Sequence, residues 1–153
     1  MGRRFAGAAA RGAPGALNLY IDSSVVLRIV FGEADPLPSW HRMRQAVSSQ
    51  LLRVECLRTI DRARMKLRLA DDEVTSLREE ALGLLEGIGT IPLSAAILDR
   101  AADPFPTLIG SLDAIHLASA LIARDLTDDL VFATHDHELA LAARAVGFTV
   151  EGA

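Results

Sequence analysis

Asp22, Glu55, Asp113 and Asp136 are the side chains with which this sequence could do chemistry, because each stands where a strand ends or close to where a helix begins. Carboxylates about 4 Å apart would repel by roughly 4 kcal/mol per pair at an intermediate effective dielectric. Such a cluster either takes up protons or binds a cation, and hard oxygen ligands favour Mg2+ or Mn2+. Three of these acids also have an ordinary reading. Asp22 follows the run LNLYI, where an aspartate often serves only as a turn residue or helix cap. Glu55 can be stabilised by a helix N-terminus or by Arg58 and Arg62. Asp113 falls in a first helical turn, where the dipole favours an anion. His116, one turn further on, is within reach of a substrate, although a packed or exposed histidine is the commoner case. Cys56 lies in an apolar stripe and reads as packing, not as a nucleophile.

The elements that must position these residues alternate between strand and helix. Leu17, Leu19 and Ile21 mark a buried first strand with Asp22 at its carboxyl end, the edge where ligands sit in open α/β sheets. Ser23 or Ser24 caps a helix through Val25 to Phe31, which Gly32 and residues 33–38 end. A short helix over Trp40–Ala46, capped by Ser39, precedes a brief strand over Ala46–Ser49, and Trp40 reads as packing. The next helix, Gln50 to Leu69, carries the stripe Leu52, Cys56, Ile60, Ala63 and Leu67, with Glu55, Thr59, Arg62 and Lys66 in the row beside it. Asp71 and Asp72 open a second long helix that ends near Gly87, completing a helical hairpin. Ile88 to Leu93 suits an edge strand because of Pro92. Ser94 caps a short helix through Ala101, and Asp103 to Gly110 is a loop. Ser111 caps the helix Ser111–Asp125, whose Ala114, Ala118, Ser119 and Ala120 allow close approach to a sheet. The strand Leu130–Thr134, the helix Leu139–Val146 with Gly147 as its stop, and the strand Phe148–Val150 complete the chain. This alternation implies an α/β fold with a mainly parallel sheet of four to five strands and helices on both faces.

Composition narrows the classes. The 153 residues, half of them apolar, suit one globular domain over residues 17–153. Residues 1–16, rich in Gly, Ala and Pro, read as a flexible N-terminal arm without the apolar segment of a signal peptide. A single cysteine cannot close an internal disulfide, and no apolar run approaches a membrane span of about 18 residues, so a cytoplasmic protein is expected. The net charge of −4 does not suggest a nucleic-acid binder, but eight of the sixteen Lys and Arg lie between Arg42 and Arg68, beside only two acids, Glu55 and Asp61. A basic segment against an acidic body is compatible with a phosphate-binding rim around a carboxylate site, and equally with a solvated helix face.

The order and spacing of YIDSS, RVECLR, LDAIHLASAL and FATHDHELALAARAVGFTV resemble the PIN-domain ribonucleases, particularly the VapC-type toxins of toxin–antitoxin pairs. The likeness runs from about Leu17 to the C-terminus; the arm before it departs from the usual pattern, in which the first strand begins almost at once. It implies a three-layer α/β/α PIN-like fold and the cleavage of RNA with a divalent metal. By this resemblance Asp22, Glu55, Asp113 and Asp136 match the family's acidic quartet and Thr134 its polar residue after the fourth strand, with Ser24 supporting. Mg2+, or Mn2+ as substitute, held mainly by Asp22 and Asp113 with Glu55 and Asp136 directly or through water, would activate a water against a phosphodiester. Arg42, Arg44, Arg58, Arg62 and Lys66 are candidates for the RNA backbone. The family also implies a homodimer and a cognate antitoxin that inserts a segment across the acidic groove.

Other classes fit less well. A phosphoacceptor like the haloacid-dehalogenase-like phosphatases, with Asp22 as nucleophile, would need a second Asp where Ser24 stands. A receiver-like module could use Thr134 but needs a Lys ending the following strand, and no Lys follows Lys66. An inactive PIN-like partner-binding protein and a housekeeping PIN-domain nuclease are the remaining alternatives to a toxin.

Overall fold

A computed structural model describes residues 15–153; the expected arm, residues 1–16, lies outside the described residues except for Gly15 and Ala16. The order of elements is β1 (Leu17–Ile21), α1 (Ser23–Val30), a 3-10 helix (Pro38–Arg42), β2 (Met43–Ser49), α2 (Leu51–Leu67), α3 (Asp71–Glu86), β3 (Gly89–Ile91), α4 (Ala95–Ala102), α5 (Ser111–Leu126), β4 (Leu130–Ala133), α6 (His137–Ala145) and β5 (Val150–Glu151). All strand pairs are parallel, and the sheet order is β3-β2-β1-β4-β5. The expected parallel sheet with helices on both faces is the architecture found.

A parallel sheet must be covered on both sides, and the alternation along each strand shows how. Leu19, Ile21, Ala46, Val131 and Ala133 face the layer of α1 and the α2–α3 hairpin, with Val25, Val26, Leu52, Cys56, Ile60 and Ala81. Tyr20, Val47, Leu130 and Phe132 face α5 and α6, with Leu117, Ala120, Leu139 and Ala142. The small residues of α5 work as their size predicts: Ala118, Ser119 and Ala120 are fully buried. Ser94 caps α4 as expected, accepting from the Ile97 N–H at 3.2 Å.

Several local expectations are corrected: the N-cap of α1 is Asp22 and not Ser23 or Ser24, and that of α5 is Gly110 and not Ser111. The helix over Trp40–Ala46 is instead the 3-10 helix followed by β2, which begins at Met43. Met, Arg, Gln and Ala are good helix formers, but pairing of Leu17 with Met43 and of Asn18 with Gln45 draws them into the sheet. Ser39 caps nothing; Leu37 is the cap position. In α2 the buried stripe stops at Ile60: Leu67 is 64 % exposed, because the helix runs past the core and Leu69 packs there in its place. The last strand is Val150–Glu151, with Phe148 buried as a plug before it.

The sheet order has one consequence for function. From β1 the chain moves outward through β2 to β3, then crosses to the other side of β1 to form β4 and β5. The crevice between the carboxyl ends of β1 and β4 is therefore the switch point, where ligands bind in open α/β sheets. Ile21 pairs with Ala133, which sets Asp22 beside Thr134.

Candidate active site

Asp22 follows β1 and occupies the N-cap position of α1, yet its side chain caps nothing. Its carboxylate is 5 % exposed and takes one hydroxyl on each oxygen: Ser24 Oγ donates to Oδ1 at 2.5 Å, and Thr134 Oγ1 donates to Oδ2 at 2.9 Å. Both hydroxyls are oriented from behind. Ser24 Oγ accepts the His135 N–H at 2.9 Å, and Thr134 Oγ1 accepts the Asp136 N–H at 3.0 Å. A hydroxyl has one proton, so with both protons on Asp22 the 3.3 Å approach of Ser24 to Thr134 is a contact and not a further bond. Beneath the site Ser48 Oγ donates to the Ile21 carbonyl at 2.6 Å, which fixes the end of β1. On the far side Gly152, at φ +99°, lies so close to the Thr134 carbonyl that a Cβ would come within 2.5 Å of its oxygen.

The other three acids arrive from three helices. Glu55, in the second turn of α2, is 14 % exposed and accepts from His116 Nε2 at 2.6 Å. Asp113, the third residue of α5, is half-buried. Asp136 is the N-cap of α6; its Oδ1 accepts the Leu139 N–H at 2.9 Å, so a structural cap and a candidate ligand coincide in one carboxylate.

Their charges are coupled. Burial, above all, pushes the Asp22 carboxyl up to about 6; Ser24, His116 and Thr134 pull against this, and Glu55 adds to it. Asp113 is also raised, first by burial and then by Asp136, with Glu55 and Glu138 adding and His116 opposing. Glu138, in the first turn of α6, was not among the sequence candidates; its only signal was its place two residues after Asp136. Burial and the charges of Glu55 and Asp22 push the Cys56 thiol up to about 12, which keeps it neutral, in line with a packing role.

Such a site fits a hard divalent cation. The donors are carboxylate oxygens; burial raises Asp22 and Asp113 first and the neighbouring acids add to it, and a cation offsets both costs of the charged forms. Among the described residues no three acids are close enough to close on one ion unaided. Mg2+ does not require that, because it keeps several waters and usually takes only one or two carboxylates. Asp22 and Asp113, with Glu55 and Asp136 directly or through water, are the residues that would hold it.

The basic residues do not gather at these acids. Arg42 pairs with Glu151 at 3.9 Å, Arg58 with Asp61 at 2.9 Å, and Arg62 donates to Thr59 at 3.0 Å. Arg44 is exposed near the amino end of β2, away from the strand ends that carry the site. Lys66 is eleven residues beyond Glu55 on α2, about 16 Å along the helix axis. Arg58 and Arg62 are nearer, on the same helix as Glu55.

Comparison with known proteins identifies the family. A family profile described as PIN domain matches residues 19–145. Ribonuclease VapC47 of Mycobacterium tuberculosis (strain CDC 1551 / Oshkosh) is 33 % identical over 138 residues, covering 85 % of this chain and 93 % of the relative. Ribonuclease VapC46 of Mycobacterium tuberculosis (strain ATCC 25618 / H37Rv) is 30 % identical over 136 residues, covering 86 % and 95 %. Among the described residues no helix is long and apolar enough to cross a membrane. With the profile spanning most of the chain and the relatives aligned over nearly their full lengths, the chain belongs to the PIN-domain family, in its VapC-type branch.

Proposed function

We propose that this chain is a divalent-metal-dependent endoribonuclease and the toxin of a type II toxin–antitoxin pair, acting in the cytoplasm. The observation that carries the reading is the crevice between β1 and β4, where a buried carboxylate, Asp22, is clamped by two hydroxyls in the field of Glu55. Asp113 lies in the field of Asp136 and Glu55 at the same edge.

Asp22 and Asp113 would hold the ion, with Glu55 and Asp136 completing the shell directly or through water. Ser24 and Thr134 keep the Asp22 carboxylate from turning, so both of its oxygens have fixed directions. Asp136 Oδ1 is committed to the Leu139 N–H, which leaves Oδ2 for the site. Mg2+, with Mn2+ as substitute, supplies an activated water and offsets the repulsion between phosphate and carboxylates. Arg58 and Arg62 are the basic residues best placed to meet the RNA backbone, while Arg42, Arg44 and Lys66 stand further off. The cognate antitoxin laid across the acidic groove with an Arg among the carboxylates, and a homodimer, complete the proposal.

Metal removal tests the chemistry. Purified protein with Mg2+ should cleave a loop-containing RNA, EDTA should abolish cleavage, and Mn2+ should restore it; cleavage that persists in EDTA would contradict the reading. The toxin assignment predicts growth arrest on expression, relieved by co-expression of a small protein encoded beside it. Cleavage in vitro without arrest in cells would point instead to a housekeeping nuclease.

A further inference from the structure

His116 is 1 % exposed, but packing does not account for the bonds it makes. Its Nδ1 lies 2.9 Å from the Tyr20 hydroxyl and its Nε2 lies 2.6 Å from Glu55 Oε2. One ring thus joins β1, α5 and α2 in a line that ends on a candidate ligand. A buried polar group that needed only a partner could use its own helix, as Ser119 does by donating to the Ile115 carbonyl at 2.7 Å.

Chemistry fixes the sense of this line. Toward a carboxylate oxygen an imidazole nitrogen can only donate, so the proton stands on Nε2 whether the ring carries one proton or two. In the neutral ring the bare Nδ1 then accepts from the Tyr20 phenol, which carries its proton at neutral pH. Tyr20 itself cannot swing: it is fully buried, stacked on Phe132 with centroids 5.1 Å apart, and edge-on to the imidazole at 6.0 Å. The chain Tyr20–His116–Glu55 fixes Oε2 and so commits only one of the two carboxylate oxygens. Ligating carboxylates are commonly oriented by such an outer hydrogen bond.

We propose that His116 and Tyr20 are positioning residues that hold the Glu55 carboxylate in one orientation toward the divalent ion. This rests on the nuclease reading above. The test uses the full chain, with Mn2+ binding followed by electron paramagnetic resonance and RNA cleavage measured in parallel. His116→Leu removes the donor and should weaken Mn2+ about 10- to 100-fold. It should lower kcat with KM for RNA unchanged, whereas His116→Gln, whose amide N–H can still reach Glu55, should recover most of the loss. Tyr20→Phe, a milder change, should weaken Mn2+ in the same direction. Long-range 15N–1H spectra of the wild type, with His116 assigned by the signals missing in the Gln variant, should show Nε2 protonated.

Failure of His116→Leu to fold leaves the decision to Tyr20→Phe and to the wild-type spectra. Equal Mn2+ affinity in all folded variants, or a proton on Nδ1 alone, overturns the inference, and wild-type cleavage would then leave the nuclease reading standing. A wild type that neither binds Mn2+ nor cleaves RNA overturns both.

Discussion

Asp22→Asn should abolish metal-dependent RNA cleavage, by about 10³-fold or more, and at the same time stabilise the metal-free protein at pH 8. Both effects have one origin. The Asp22 carboxyl is buried and pushed up to about 6 in the fold, from an ordinary value of 3.8. The folded state therefore binds this proton more tightly than the unfolded chain. The resulting stability is fully present below about pH 4 and is lost as pH rises through about 6. Above that, the ionised carboxylate costs roughly 3 kcal/mol, the equivalent of about two pKa units.

Asparagine removes the charge but offers one acceptor where the carboxylate offers two, so part of the gain is given back. A rise of about 5 °C in Tm at pH 8 in EDTA is the expected size for a chain of this length, shrinking toward zero at pH 4. Mn2+ should raise the Tm of the wild type at pH 8 and leave the variant unmoved. Melting curves with the same pH dependence in both proteins would show that Asp22 does not carry this strain. Cleavage retained by Asp22→Asn would remove the proposed engine altogether.

The second large effect belongs to Asp113→Asn, and its signature differs. Among the described residues no donor bonds to the Asp113 carboxylate, and its pKa is raised by Asp136, Glu55 and Glu138 in addition to burial. The substitution loses a helix-dipole interaction of about 0.3–1 kcal/mol while relieving that repulsion, so metal-free stability should hardly change. Cleavage should nevertheless fall about 10³-fold or more, and Mn2+ affinity should fall with it. Titration with Mn2+ in wild type and variant separates loss of the ion from loss of chemistry. Unchanged Mn2+ binding together with unchanged cleavage would return Asp113 to the role of an ordinary first-turn acid.

Local physics was legible in the chain. The alternation of Leu17, Leu19 and Ile21 and the continuous apolar run of β4 specify buried strands, because side-chain direction has a period of two. The 3.6-residue stripe Leu52, Cys56 and Ile60 and the Ser94 cap specify helices for equally local reasons. Where local preference and pairing disagreed, as at Met43–Ala46, the sheet prevailed and the sequence reading failed. It failed at Leu67 because periodicity cannot show where a helix leaves the core.

What the sequence by itself determined was the inventory: five strands, the helices between them, and an acid close to four of the strand ends or helix starts. Which of those acids share surroundings was decided by the fold, because β1 pairs with β4 across more than a hundred residues, the pairing that sets Asp22 against Thr134. His116 shows the same limit. Its place one turn after Asp113 was legible, but whether it faced inward was not, and only the approach of β1 and α2 supplies Tyr20 on one ring nitrogen and Glu55 on the other. Hydrogen bonds between elements depend on distances that no single segment encodes.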